Sequence, residues 1–250
     1  MATRLKKSVP AIAASLLLLL LLAVPAQAQH EVTACGTTIT EPGEWNLVHD
    51  LHCVGVDAIT VSASDVKLHL NDHHIIGSST QTGIYTRDHD RIKILGPGSI
   101  DSFSIGVLNA GGHDVEVYAV TVNRTSEAGF VARGEQGLVW YSNTAEGNPV
   151  GFRLQSCSSC LLDSNVAEGN MGDGFDIAGA GNRVEYDQAF DNGAIGIKVI
   201  AGATGIGIVR NRALGNTTLD IADQNPDCGS DFYRDNELRT GRPSCVFRLR

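Results

Sequence analysis

Arg153, Asp176 and Lys198 stand 23 and 22 residues apart, and each lies two places after a glycine. Asp173 immediately precedes one of those glycines, Gly174. If that spacing stacks them, they form one outward row of cation, carboxylate and cation. Such a row suits an acidic sugar chain. Arginine pairs a uronate carboxylate through two parallel hydrogen bonds, which makes Arg153 a candidate clamp. β-Elimination or C5 epimerisation needs a base for the proton beside that carboxylate and a cation for the enolate that forms. Lys198 and Asp176 are the candidate base and partner. Asp173 and Asp176 are the alternative, an acid and base pair acting on a glycosidic bond. Tyr85 holds the same position in an earlier coil and is a candidate platform for a sugar ring. Two places further along each strand stand Arg87, Arg133 and Gln155, of which Arg133 adds a candidate substrate contact. A structural reading competes with all of this. Opposite charges on adjacent strands stabilise a sheet by about 0.2–1 kcal/mol per pair. Leu108 and Val131, between Tyr85 and Arg153, also leave half of the face apolar.

The elements that must position the row follow from a repeated dipeptide. Glycine followed by an apolar residue occurs at Gly83-Ile84, Gly106-Val107, Gly129-Phe130, Gly151-Phe152, Gly174-Phe175 and Gly196-Ile197, at intervals of 23, 23, 22, 23 and 22. A fixed period of this size marks stacked repeats. Twenty-two residues hold no strand, packed helix and two loops, and neither amphipathic helical periods nor a leucine-rich frame is present. One coil of a parallel β-helix, three short strands and three turns, remains. The residue after each glycine then points inward and the next one outward, because side chains alternate along a strand. A degenerate first repeat covers 58–82, with Val66, Leu68 and Leu70 alternating with Lys67, His69 and Asn71.

A second period supports the same architecture. Asn143, Asn165, Asp187 and Asn211 are each followed two residues later by Ala145, Ala167, Ala189 and Ala213, and a further asparagine recurs at Asn148, Asn170, Asn192 and Asn216. Stacked coils place these side chains above one another as hydrogen-bonded ladders. Their short polar side chains also suit left-handed corners. They read as structural residues.

The ends read differently. Arg4, Lys6 and Lys7, an apolar run and Ala26-Gln27-Ala28 form a secretory signal over 1–28, too short in its apolar part to span a membrane. The remainder carries 16 Lys and Arg against 28 Asp and Glu, a net charge of −12 that repels nucleic-acid phosphate. The six cysteines fall into three local pairs, Cys35 with Cys53, Cys157 with Cys160 and Cys228 with Cys245. Export makes disulfides the default reading, although sequence does not prove the pairing. Cys157 and Cys160 also admit a redox or copper-binding reading. Residues 29–57 are the expected N-terminal cap, 58–224 the repeats and 225–250 the C-terminal cap, since open ends of a stack need covering. His69, His73 and His74 invite a metal, but no carboxylate or cysteine set completes a site. No metal and no cofactor are expected.

CGTTITEPGEW, LHLNDHHIIG, the repeated GF-x-L/I and SNxAEGN segments and the cysteine-bracketed tail together resemble bacterial secreted right-handed parallel β-helix repeat proteins, over 35–250. The resemblance implies an all-β, single-stranded right-handed parallel β-helix of about eight coils, capped at both ends. That fold hosts pectate and alginate lyases, polygalacturonases, uronate epimerases, phage tailspikes, proteins that help mature nitrous oxide reductase, and many of no assigned activity. It does not choose among them. Arg91-Ile92-Lys93 matches a polygalacturonase triplet, but its companion motifs are absent and it reads as strand with Ile92 buried. The expectation is a secreted or periplasmic protein, without an integral span after cleavage. It binds an acidic polysaccharide and, if enzymatic, processes it as a lyase, epimerase or glycoside hydrolase. The alternative is a non-catalytic surface or envelope module for adhesion, scaffolding or assembly. The near-constant spacing leaves little chain for the loops that wall a catalytic groove, so whether it is an enzyme stays open.

Overall fold

The computed structural model describes residues 30–247. The expected signal segment therefore lies outside the described residues. Every strand pairing is parallel. Ten strands form one sheet, and sixteen form a second that bends along its length into two faces. The bend is continuous where Lys93–Asp101 and Glu116–Asn123 run through the corner as single strands. The result is a solenoid of triangular section with about nine turns. Segment 35–53 supplies rungs of its own: Thr37–Ile39 pairs with Ile59–Val61, and Gly43–Leu47 with Val66–His69. At the other end, Phe232–Arg234 and Gly241–Arg242 pair with the coil beneath. Among the described residues, no helix is long and apolar enough to cross a membrane.

The dipeptide period sets the register. Ile84, Val107, Phe130, Phe152, Phe175, Ile197 and Ile221 lie directly opposite one another on successive strands. All seven are fully buried. Phe130, Phe152 and Phe175 stack nearly parallel with centroids 4.7 and 4.8 Å apart, which is the spacing of neighbouring strands. Such offset aromatic pairs add about 0.5–1.5 kcal/mol beyond their burial.

The glycines serve close packing rather than turning. A Cβ on Gly151 would lie 2.6 Å from the carbonyl oxygen of Gly174 and 3.1 Å from the Cβ of Ala167. A Cβ on Gly174 would lie 2.6 Å from the Gly196 oxygen and 2.9 Å from Nδ2 of Asn192. The strand entry thus presses against the inner alanine and asparagine stacks, and only hydrogen fits between them.

Both asparagine ladders are continuous. Oδ1 of Asn165 accepts from the backbone N–H and Nδ2 of Asn143 at 3.0 and 3.1 Å, and Asn165 Nδ2 donates to the carbonyl of Trp140 at 2.9 Å. Asn148, Asn170, Asn192 and Asn216 repeat the pattern at the next corner. One expectation is corrected. The ladder residues do not take the left-handed conformation; the residues before them do, Ser142, Ser164, Tyr186 and Arg210 in one column and Gly147, Gly169, Asp191 and Gly215 in the other. The asparagine side chain folds inward because the preceding residue has already made the bend.

Disulfides join Cys35 to Cys53, Cys157 to Cys160 and Cys228 to Cys245. Cys157 and Cys160 are buried, which shields their bond from a partner thiol or a metal. Ile92 is fully buried within the Arg91-Ile92-Lys93 triplet. His73 Nδ1 lies 3.2 Å from Asp50, and His74 Nδ1 lies 2.7 Å from the Ser99 hydroxyl.

Candidate functional site

The outward row forms on the ten-stranded sheet. Arg153 lies opposite Asp176, and Asp176 opposite Lys198, on the strands Phe152–Ser158, Phe175–Ala180 and Ile195–Val199. Asp173 joins them because the residue before the glycine also faces outward. The glycine itself turns in at the corner, so the two positions flanking the Gly-apolar pair share the outer face.

Lys198 ties the cluster together. Its Nζ donates to Oδ2 of Asp173 and lies 2.7 Å from Oδ1 of Asp176. The second contact is one of charge rather than an aligned hydrogen bond, since that buried Oδ1 has no hydrogen-bond partner. Asp173 also accepts from the backbone N–H of Ile195 at 2.9 Å. Arg153 reaches Asp176 at 3.7 Å and Glu127 at 3.5 Å. The side chains are shielded, with 16% of Lys198 and 13% of each aspartate exposed.

This shielding splits the two carboxylates. Burial, followed by the Asp173 charge, pushes Asp176 above the usual carboxylate range despite Lys198. Asp173 suffers burial too, but the hydrogen bonds from Lys198 and the Ile195 amide outweigh it and hold the acid low. Burial also opposes the charge of Lys198, and the two aspartates overcome it and raise the lysine. The two carboxyls are thus driven apart, Asp176 upward and Asp173 downward, beside a lysine whose own shift is upward.

The other sequence candidates take separate places. Arg133 donates to Oε1 of Gln155 at 3.0 Å and shares Glu127 with Arg153, which puts it at the edge of the cluster. Tyr85 lies three coils from Arg153, opposite Leu108, and packs against an outer apolar cluster of Ile105, Leu108, Ala128, Val131 and Val150. Those residues are themselves buried, so the apolar half of the face is no open floor for a long chain. Glu127 is the member that the repeat did not reveal. It stands two places before Gly129, just off the strand register, where the period makes no statement about direction.

A sequence-family profile described as a right handed beta helix region matches residues 55–213. A search of curated proteins finds no match. Among solved structures, the periplasmic alginate epimerase AlgG aligns with 12% identity and a TM-score of 0.57, covering 76% of this chain and 64% of that one. The A-module of the Azotobacter vinelandii mannuronan C-5 epimerase AlgE4 aligns with 14% identity and a TM-score of 0.59, covering 78% and 72%. The enzymatically active domain of bacteriophage CBA120 tailspike protein 2 aligns with 15% identity and a TM-score of 0.57, covering 83% and 38%. The chain thus spans less than two thirds of AlgG and of the tailspike domain. At these identities the likeness is one of fold.

Proposed function

The chain belongs to the right-handed β-helix family, and we propose that it is an exported member that binds an acidic polysaccharide on the outer face of its ten-stranded sheet. The observation that carries this reading is the Arg153–Asp176–Lys198 cluster with Asp173, where charged groups of both signs converge, shielded, on an outward face. The fold likeness to proteins named as alginate and mannuronan epimerases and to a tailspike domain supports the substrate class. Three disulfides fit a periplasmic or secreted location. Arg153 pairs a uronate carboxylate. Asp176, the weaker acid of the two, and Asp173, the stronger, are the acid and base pair that elimination, epimerisation or hydrolysis requires. Lys198 acts as the cation that holds both aspartates and steadies developing negative charge. It is a poor base, because two carboxylates retain its proton.

A second reading has its own support. Each charge in the row already pairs with a neighbour in the chain, and the coils carry no long insertions. Both facts favour a non-catalytic surface or envelope module. One experiment addresses both readings: alginate, polygalacturonate and neutral glycans are mixed with the protein while binding and the ultraviolet absorbance of unsaturated products are followed. Acidic chains are expected to bind, and Lys198→Ala and Asp176→Ala to weaken binding about tenfold or more, the loss of one buried charge-assisted contact. Binding without product supports the module. Binding that survives both substitutions sinks the row as a site.

A further inference from the structure

A groove lies on the other side of the solenoid. It encloses about 620 Å³ on the face built by Gly43–Leu47, Val66–His69, Lys93–Asp101, Glu116–Asn123 and Val139–Tyr141. That volume is in the range of sites for small ligands. Two columns border it. The first runs Glu44, Lys67, Lys93, Glu116 and Val139, and the second runs His69, Leu95, Tyr118 and Tyr141, each residue opposite the next. A second hollow of about 440 Å³ continues it past Lys67 and Lys93 to Asp65, Arg91 and Asp114.

The geometry points to a neutral oligosaccharide as the ligand of this groove. Three observations converge on that class. The first is an aromatic platform. Tyr118 and Tyr141 stack at 5.4 Å with 9° between their planes, and they stay 43% and 42% exposed although they belong to regular strands. Neighbouring strands lie about 4.8 Å apart. The shorter Leu95 therefore separates Tyr118 from His69 by two strand spacings, and it leaves a slot between two rings that admits a third ring over an aliphatic floor.

The second is charge balance. Lys67 pairs with Glu44 at 3.1 Å and Lys93 with Glu116 at 2.7 Å, so the central column is neutral as a whole. Lys67 nevertheless faces Lys93 directly across the strands, an arrangement that costs sheet stability. The order acceptor, donor, donor, acceptor along Glu44–Lys67–Lys93–Glu116 matches the mixed donor and acceptor character of sugar hydroxyls. It offers no net field to an anion. The third is an unsatisfied group: His69 lines the groove, and its buried Nε2 has no hydrogen-bond partner in the chain. The five strands span about 19 Å, the length of a short oligosaccharide.

The site is independent of the charged row, because it sits on a different sheet and takes a different class of sugar. Its test is an amide NMR titration of the exported chain with cellotetraose, xylotetraose and mannotetraose, with tetragalacturonate as the acidic comparison. At least one neutral probe is expected to shift the amides of Lys67, Lys93, Leu95 and Tyr118 while leaving Asp176 in place. Raising the salt is expected to change that affinity less than twofold, since no charge is exchanged. Tyr118→Ala is expected to weaken binding about tenfold. The conservative Tyr118→Phe should retain the stacking. Lys198→Ala should leave this binding unchanged. The proposal is overturned by the absence of shifts with every neutral probe at millimolar concentration, by shifts centred on Asp173–Lys198, by a groove that responds to tetragalacturonate alone, or by a Tyr118→Ala protein that keeps its fold and its affinity.

Discussion

The asparagine ladder inside one corner and the charged row outside the ten-stranded sheet arise in the same way, by stacking one position of the coil above the next. They are filled by opposite rules. In the ladder the residue hardly changes, from Asn143 through Asn165 and Asp187 to Asn211 and Asn236. Each amide accepts from the coil before and donates to a backbone carbonyl, so every bend but the one at Asp187 finds its partners away from water. In the row the residue changes at each step: Tyr85, Leu108, Val131, Arg153, Asp176, Lys198 and Ala222. The coil demands a particular residue where its backbone must be satisfied and demands none on its outer faces. Residues on those faces are free to be selected for something other than the fold.

The largest test of that contrast is Asn165→Leu. It removes the acceptor of two hydrogen bonds from Asn143 and the donor to the Trp140 carbonyl, all buried. Each orphaned buried polar group costs about 1–3 kcal/mol, so a loss of about 3–5 kcal/mol is expected in the denaturant midpoint at constant slope. A loss under about 1 kcal/mol would show that the ladder is decoration on a core held by its apolar stack.

The ladder and the inward stack were legible in the sequence because both recur at the coil period and satisfy one physical demand at every turn. The glycine period was equally visible, but its cause was not. Nothing in the sequence says that the strand entry touches the Ala167 and Asn192 stacks. The row was legible from Arg153 to Lys198 because those residues share the register of the glycine. Glu127 was not, since it sits at the corner, where alternation breaks down. The groove on the opposite side escaped for a related reason. Its columns begin after corners of varying length: Lys67, Lys93, Glu116 and Val139 are separated by 26, 23 and 23 residues. Tyr118 and Tyr141 do stand one coil period of 23 residues apart, but they lie on a strand whose register the Gly-apolar dipeptide does not set.

The ladder has one lapse of its own, and it predicts a pH dependence. Oδ1 of Asp187 accepts from Asn165, but its buried Oδ2 has no partner. Oδ2 occupies the place from which the neighbouring amides donate to Trp140 and Val184, so the register sets it toward the Leu162 carbonyl. Only a protonated carboxyl can donate there, and burial raises Asp187 well above the usual carboxylate range. Glu135 is a second buried carboxyl, raised to about 7 by burial against the pull of the Gly112 amide. Both pKa values are higher in the folded state than in the unfolded one, where carboxyls titrate near 4. The folded state then binds more protons, and stability is full below about pH 4 and falls as pH rises through the folded values. For Glu135 that fall runs from about pH 4 to about 7. Asp187→Asn and Glu135→Gln are each expected to stabilise the protein at pH 8 by about 1–2 kcal/mol and to flatten this slope. Urea midpoints at pH 5 and pH 8 measure it. Unchanged slopes in both variants would show that neither carboxyl retains its proton.

The smallest effect is expected in the row, and it decides between the two readings of that face. Lys198→Met keeps the length and the apolar stem of the side chain and removes the charge held between Asp173 and Asp176. Asp173 is held low partly by Lys198, so its share of stability is present above the unfolded pKa and disappears as pH falls through the lower folded value. Asp176 is raised already, and without the lysine it retains its proton more strongly, which limits the cost of leaving it unpaired. With the pair partly open to water, the loss at pH 7 should be about 1 kcal/mol and should vanish in acid, where both carboxyls are neutral. A small stability loss joined to a large loss of acidic-glycan binding marks residues kept for a ligand. A loss as large as that of Asn165→Leu, with no effect on binding, would place the row beside the ladder as part of the scaffold and favour the non-catalytic module.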